Sequence, residues 1–467
     1  MKEYLFPKKI VKSTSAIAPQ NLLRKQPLQI GLAEYYTSTF EKGDFVILDY
    51  GKEMCGGIRI LTFLANNTKV RIRFGESIAE TCSELGGKRN ATNDHAVRDF
   101  MVNLPSYSDQ TFANTGFRFV RVDFYERTEI KSILAVNHIL KKQPIYIYNG
   151  GDALIRRVFE TAKRTVDLCA SSGYVWDGVK RDRLVWIGDM HPEMLALTAL
   201  YGRLPAIERS LDFVKDQTPL PGWMNGFPTY SMWWIIILAD YFEKTDADDF
   251  VRKQLAYLQG LLEQMSDRVK ENGELDYHFY FVDWPTHDKP DEMHGVRAIH
   301  IMAMRKAIAL LTKFGKDTTT AKSILHRLLK VEIEPQTSKQ VTGLKYFAVG
   351  LSDADKKRLV NGNAQGMSTF MSYYILKAVA SFDRETAIEM MKEYYGAMIE
   401  KGATTFWEDF DMEWVENSSR IDEFPQEGEK DIHGDFGAYC YEGFRHSLCH
   451  GWAAGVIQFI KEECQNI

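Results

Sequence analysis

Apolar residues in the first part of the chain fall in short runs at 45–48, 58–64, 70–74, 117–125 and 133–139, rich in Val, Ile and Phe. Val70, Ile72 and Phe74 alternate with Arg71 and Arg73, the period-two pattern of a half-buried strand. Gly51, Gly56, Gly57, Gly86 and Gly87 punctuate the runs. This pattern predicts an antiparallel β-sandwich over residues 1–145. Past Gly150 and Gly151 the period becomes helical. Leu154, Ile155, Val158, Phe159, Ala162 and Val166 share one helix face, with Asp152 placed to cap it. Similar stripes run at 190–203, 205–216, 229–243, 247–270, 295–314, 318–331, 354–360, 366–382, 384–399 and 444–463. So many helices with little strand between them predict an (α/α)6 barrel over residues 146–467, a ring of helical hairpins. No fixed-period repeat supports the alternative, an α-solenoid. In a ring of hairpins, chemistry sits on the loops at one mouth. Aromatic- and Gly-rich loops fall at 217–228, 276–294 and 402–443.

Composition adds exclusions. The 467 residues are 45% hydrophobic and 26% charged, as in folded globular proteins. Aromatics reach 12%, which suits flat sugar faces and equally suits a large core. A net charge of -5 offers nothing to a phosphate backbone, so no nucleic-acid partner is expected. Cys55, Cys82, Cys169, Cys440, Cys449 and Cys464 form no CxxC pair, which argues against a zinc ribbon. The opening segment MKEYLFPKKIVKSTSAIAPQ has no continuous apolar stretch, so no signal peptide is read there. A cytoplasmic or a periplasmic location fits. The apolar run from Met232 to Ala239 is too short to span a bilayer, and no membrane partner is expected. Walker A, GxSxG and HExxH motifs are absent from the sequence.

The densest chemistry lies in Asp177 to Asp189, DGVKRDRLVWIGD. Three carboxylates, two Arg beside them and one Trp suit a sugar site. Carboxylates hydrogen-bond vicinal hydroxyls and one can serve as an acid. An Arg fixes a carboxylate in place, while a Trp lowers the local dielectric. Gly178 and Gly188 favour an irregular loop entering a helix near Met190. A salt-bridged helix start with a capping Asp and a core Trp fits the same letters. A second cluster is Thr404-Thr405-Phe406-Trp407-Glu408-Asp409. Glu408 beside Trp407 is a candidate base, although Asp411, Glu413, Glu416, Asp422 and Glu423 crowd the same loop. His446, His450 and Trp452, with His433 and Cys440, match no common zinc spacing and read better as polar groups at the mouth. Asp283 and Trp284, in HFYFVDWPTH, read as a mouth loop.

These stretches resemble the α-L-rhamnosidases of glycoside hydrolase family 78. DGVKRDRLVWIGD is similar to the family's DCPQREKLGWTGD, placing Asp177, Arg181, Trp186 and Asp189 on its Asp, Arg, Trp and final Asp. Asp182 falls where the family carries an acidic residue, normally Glu, taken as the general acid. GATTFWEDFD is similar to GATTIWERWD, whose Glu is taken as the general base; here it is Glu408. SLCHGWAAGV resembles a family stretch that sets His450 at the barrel mouth, and VDW at Asp283 resembles the family's GDW. DYGKEMCGGIRI, VRIRFGES and TGFRFVRV look like the sandwich that precedes the barrel. The resemblance covers most of the chain, in the family's order. It departs at Asp182, one methylene and about 1.5 Å shorter than Glu, at DGVK for DCPQ, and in ending soon after the last barrel helix.

The resemblance implies inverting, exo-acting hydrolysis of terminal α-L-rhamnosides, with Asp182 as acid and Glu408 as base. Asp177, Arg181, Asp189, Asp283 and His450 would hold hydroxyls, and Trp186, Trp284 and Trp407 would wall the pocket. The expected partner is a carbohydrate ending in L-rhamnose or a similar sugar, with no metal or organic cofactor, and a homodimer is left open. The competing readings are another glycosidase or a lyase on the same barrel, and a carbohydrate-binding relative without catalysis.

Overall fold

The computed structural model describes residues 2–65, 67–465 and 467, without the side chain of Cys440. Strands occupy the first part: β1 Lys2–Leu5, β2 Lys9–Ser13, β3 Ser38–Phe40, β4 Phe45–Leu64, β5 Thr68–Gly75, β6 Asp99–Leu104, β7 Ser108–Phe124 and β8 Thr128–His138. All pair antiparallel, in the order β1-β8-β4-β7-β5-β6, with β2 added to β4 and β3 to β8. The runs expected at 45–48 and 58–64 are one strand. A bulge between Asp49 and Met54, with Gly51 at φ +83°, bends the chain without turning it back. Gly57 lies where β4 meets β7 so closely that a Cβ would come within 2.1 Å of Phe112 O. Buried Val46, Leu48, Ile58, Ile60, Val70, Ile72, Phe74, Val120 and Val122 form a core of their own.

A short helix, α1 Ile78–Cys82, follows β5. The remaining helices are α2 Ala153–Cys169, α3 Met190–Tyr201, α4 Pro205–Asp216, α5 Pro228–Thr245, α6 Asp248–Ser266, α7 Glu292–Lys313, α8 Thr319–Leu328, α9 Lys339–Val349, α10 Asp353–Val360, α11 Ser372–Ala380, α12 Arg384–Glu400 and α13 Val456–Glu463. Asp152 caps α2 as expected, accepting from Leu154 N at 2.8 Å and Ile155 N at 3.0 Å. The stripe at 444–463 yields only α13, because 3-10 turns occupy Gly443–Arg445 and Gly451–Gly455. Helix α9 was not expected. Its Gly343 interrupts the pattern, yet a Cβ there would come within 3.0 Å of Ile375 N, so the glycine permits α9 to back onto α11.

Helix α3 packs on α5, α5 on α7, α7 on α9, α9 on α11, α11 on α13, and α13 on α3 again. The contacts therefore close a circuit, with α2, α6, α8, α10 and α12 leaning on its members. Nearly all of α3 and most of α5 are buried, which explains their almost unbroken apolar sequences. Among the described residues no helix is long and apolar enough to cross a membrane. The seam between sheet and helices is largely polar. Arg118 reaches Asp49 at 3.0 Å, Asp422 at 3.1 Å and Gly402 O at 3.2 Å.

Candidate functional site

Segment 177–189 folds as an irregular loop that enters α3, as its glycines suggested. Gly188 is required there, since a Cβ would stand 2.2 Å from the ring of Tyr230. Asp177 closes the loop. Its carboxylate accepts from Leu184 N at 2.9 Å, and its carbonyl accepts from Gly451 N at 2.7 Å. Asp182 and Arg183 sit at φ +50° and +57°, a left-handed pair that costs strain for residues with a Cβ.

The loop faces a cavity of about 280 Å³ at the ends of the helices where α3, α5 and α7 begin. Arg181 is its electrostatic centre. One guanidinium nitrogen donates to Asp182 Oδ2 at 2.9 Å, the other to Glu408 Oε1, and Nε donates to Arg445 O at 2.9 Å. Glu408 is buried and takes a further bond from Ser447 N at 2.9 Å. Burial lifts its carboxyl above the ordinary carboxylate range, while Arg181 pulls it back. Asp182 is less enclosed, and its Oδ1 meets Nδ1 of His95. Asp177 and Asp189 lie deeper. Burial raises both well above their ordinary values, and each is raised further by neighbouring carboxyls. Tyr230 donates to Asp189 Oδ1 at 2.9 Å. His450 Nε2 lies 3.6 Å from Glu408 and 3.9 Å from both Asp177 and Asp189, and burial depresses its basicity. Buried Glu193 stands behind, with its carboxyl also pushed up by burial.

Aromatic rings complete the walls. Phe227 stacks on Tyr230 at 4.8 Å, and Trp186 meets both edge-on. Phe281 packs edge-on against Trp284 at 5.0 Å. Trp452 lies 4.1 Å from the His450 ring and donates its N–H to Glu408 O at 2.9 Å. A polar floor under an aromatic wall, in a cavity just below the roughly 300–1,000 Å³ range of drug-sized ligand pockets, has room for one small polar ring.

Behind Glu408 is a second polar layer. Glu76 accepts from Leu448 N at 2.6 Å and Ser447 Oγ at 3.3 Å. Glu76, Glu80 and His433 converge closely enough to hold a metal ion. The ammonium of Lys180 stands among them, 3.1 Å from Glu76 and 3.3 Å from Glu80, and also donates to Phe444 O at 2.7 Å. It supplies the positive charge that the carboxylates need.

Of the residues singled out in the sequence, Asp177, Arg181, Asp182, Trp186, Asp189, Trp284, Glu408 and His450 line this cavity. Asp283 and Trp407 do not. Asp283 turns inward to accept from Thr286 N at 3.0 Å and Ser368 Oγ at 2.9 Å, capping the short turn Trp284–Thr286. Trp407 is buried edge-on against Phe410 at 5.6 Å. Trp452, read with His446 and His450 as a group at the mouth, lines it too, whereas His446 does not; the lining also contains His95, Phe227, Tyr230, Phe281, Tyr441 and Arg445. Three of these fall in the aromatic loops already noted; His95 carried no sequence signal.

No family model and no curated protein matches the sequence. Solved structures match its fold. A rhamnosidase from Klebsiella oxytoca with rhamnose bound superposes with a TM-score of 0.76 at 19% identity, over 99% of this chain and 96% of that one. The GH78 family rhamnosidase of Bacillus sp. GL1 gives 0.72 at 19% identity, over 94% of this chain and 48% of that one. The alpha-L-rhamnosidase of Streptomyces avermitilis complexed with L-rhamnose gives 0.60 at 15% identity, over 89% and 42%. The chain thus spans nearly all of the first and about half or less of the other two. The resemblance read from the sequence is borne out as a shared fold.

Proposed function

We propose that this chain is an inverting exo-glycosidase acting on terminal α-L-rhamnose or a closely similar sugar. On this reading residues 1–145 form a β-sandwich and residues 146–467 an (α/α)6 barrel, supported by the antiparallel pairing and the closed circuit of helices. One observation carries the functional reading: a single guanidinium, that of Arg181, joins Asp182 to Glu408 at the wall of a cavity sized for one ring. Two hydrogen bonds and the width of the fork limit the separation of the bonded oxygens to about 8 Å. That limit admits both the roughly 6.5–9.5 Å of inverting enzymes and the roughly 5–5.5 Å of retaining ones, so inversion rests on the resemblance of the motifs.

Asp182 protonates the leaving oxygen from the side that opens toward His95. Glu408 accepts a proton from water as that water attacks the anomeric carbon from the opposite face. Asp177, Asp189 and His450 take the sugar's hydroxyls, and the aromatic wall takes its apolar face. A second reading makes Asp189 the proton donor, favoured by the burial that keeps its carboxyl protonated well above the ordinary range.

An aryl α-L-rhamnoside, with the product anomer followed by NMR, tests both. The expected result is first-formed β-rhamnose and a 10²–10⁴-fold loss of kcat in Glu408→Gln and in Asp182→Asn, the order of a general acid or base. A loss in Asp189→Asn together with full activity in Asp182→Asn would transfer the acid to Asp189. Equal background rates in wild type and every variant would refute hydrolysis of this sugar.

A further inference from the structure

A second cavity, of about 310 Å³, is lined from α3, α5 and α7 together with α9 and α11. Tyr230 lines the first cavity and Asp240 the second, and both ride on α5. Their offset along the axis is about 15 Å. A column of rings separates the two: Trp452 stacks on Phe370 at 4.8 Å, Phe370 lies 6.3 Å from Trp233, and Trp233 stacks on His191 at 5.3 Å. The second cavity is therefore no extension of the first.

Its polar groups divide into two kinds. Some are already engaged. His191 faces Tyr374 OH at 2.5 Å through Nδ1 and Asp240 Oδ2 at 2.9 Å through Nε2. Asp240 Oδ1 takes the ammonium of Lys306, which also holds Glu243 at 3.1 Å. Outside the lining but near Tyr373, Glu462 and Glu463 share Lys377, at 2.9 Å from Glu462, and Arg384 also faces Glu463 at 3.6 Å. Others are not engaged. Tyr373 is 7% exposed, lines the cavity, and its hydroxyl has no partner among the described residues. At the mouth, Lys244 and Arg305 are exposed and make no ion pair among the described residues. The rest of the lining is apolar: Leu195, Ile236, Met302 and Phe347.

We infer that this cavity is a second binding site, for a small anion with a flat apolar body, such as an aryl carboxylate. The apolar walls receive the ring. The Tyr373 hydroxyl donates one hydrogen bond to the carboxylate, and Lys244 and Arg305 hold its charge. A bare anion would leave the walls wet. A neutral ring would leave the two cations unanswered.

Calorimetric titration of the full chain with benzoate, benzyl alcohol and acetate tests this. Benzoate should saturate one site, with the other two at least about tenfold weaker. Tyr373→Phe should weaken benzoate about fivefold, and the Lys244→Ala/Arg305→Ala pair about tenfold or more. Both variants should keep wild-type turnover on any aryl glycoside the chain hydrolyses, which places the bound benzoate away from the first cavity. Benzoate binding no tighter than acetate or benzyl alcohol, or unchanged in the paired variant, would overturn the inference. So would an absence of saturable benzoate binding.

Discussion

Glu408 and Asp182 share one guanidinium and little else. Glu408 is fixed from every side. Its N–H donates to Ser447 O at 2.9 Å, and its carbonyl accepts from Thr369 Oγ1 at 2.5 Å and Trp452 Nε1 at 2.9 Å. Its carboxylate rests on Ser447, which rests on Glu76, which rests on Lys180. Asp182 stands on a left-handed loop, and among the described residues its carboxylate meets, beyond Arg181, only His95, itself 39% exposed. On the proposed mechanism these are the two faces of one reaction. The face that activates water is rigid and dry. The face that serves the leaving group is soft and wet. A variable aglycone needs room to differ, whereas attacking water is always the same molecule, so the softness sits where variety arrives.

The largest expected effect comes from breaking the rigid side at its base. Lys180→Met leaves Glu76 and Glu80 without their shared cation in a buried layer, at a cost of about 3–5 kcal/mol. Chemical denaturation should show the loss, and an unchanged midpoint would mean that the layer does not carry the wall. Next comes a reciprocal change of length. Glu408→Asp pulls the carboxylate back within a frame that cannot follow, so kcat should fall about 10²–10³-fold, as expected for a displacement near 1 Å. Asp182→Glu lengthens an acid on a loop that can adjust, and kcat should stay within about tenfold of wild type. Equal losses in the two variants would erase the contrast between the faces. The smallest effect on the reaction falls beside Glu408. Burial lifts the Asp409 carboxyl from an ordinary 3.8 to about 7. The folded state then binds a proton that the unfolded chain has released, so stability declines as pH rises from about 4 to about 7. Asp409→Asn should flatten that part of the melting temperature's pH profile, and an unaltered slope would assign the decline elsewhere.

Much of this was legible in the sequence where the relevant physics is local. The alternation of Val70, Ile72 and Phe74 became β5, and Asp152 became a cap. Periodicity misjudged places where distant chain decides. Glycines at Gly51 and Gly56 look like a break between strands, but they ease a bulge whose partners lie on β7 and β8. Gly343 looks like an interruption of a helix and is instead a contact with α11. The candidate site divides the same way. Segment 177–189 brings its chemistry in one stretch. Asp283 and Trp407 sit next to Trp284 and Glu408, yet Asp283 turns inward to cap and Trp407 packs on Phe410, so sequence adjacency to a pocket residue is poor evidence of facing the pocket. His95 reaches Asp182 only because the sheet folds against the helices.

That last contact, taken with Glu76 and Glu80, bears on how such chains can be inherited. The first 145 residues look like an accessory that recombination could trade for another, as modules joined by linkers are traded. Here the trade would remove the neighbour of one proposed catalytic carboxylate and the foundation of the other, and would strand Lys180 in a dry seam. If the boundary lies near residue 145 as proposed, any exchange of one part must supply these contacts again from the new partner.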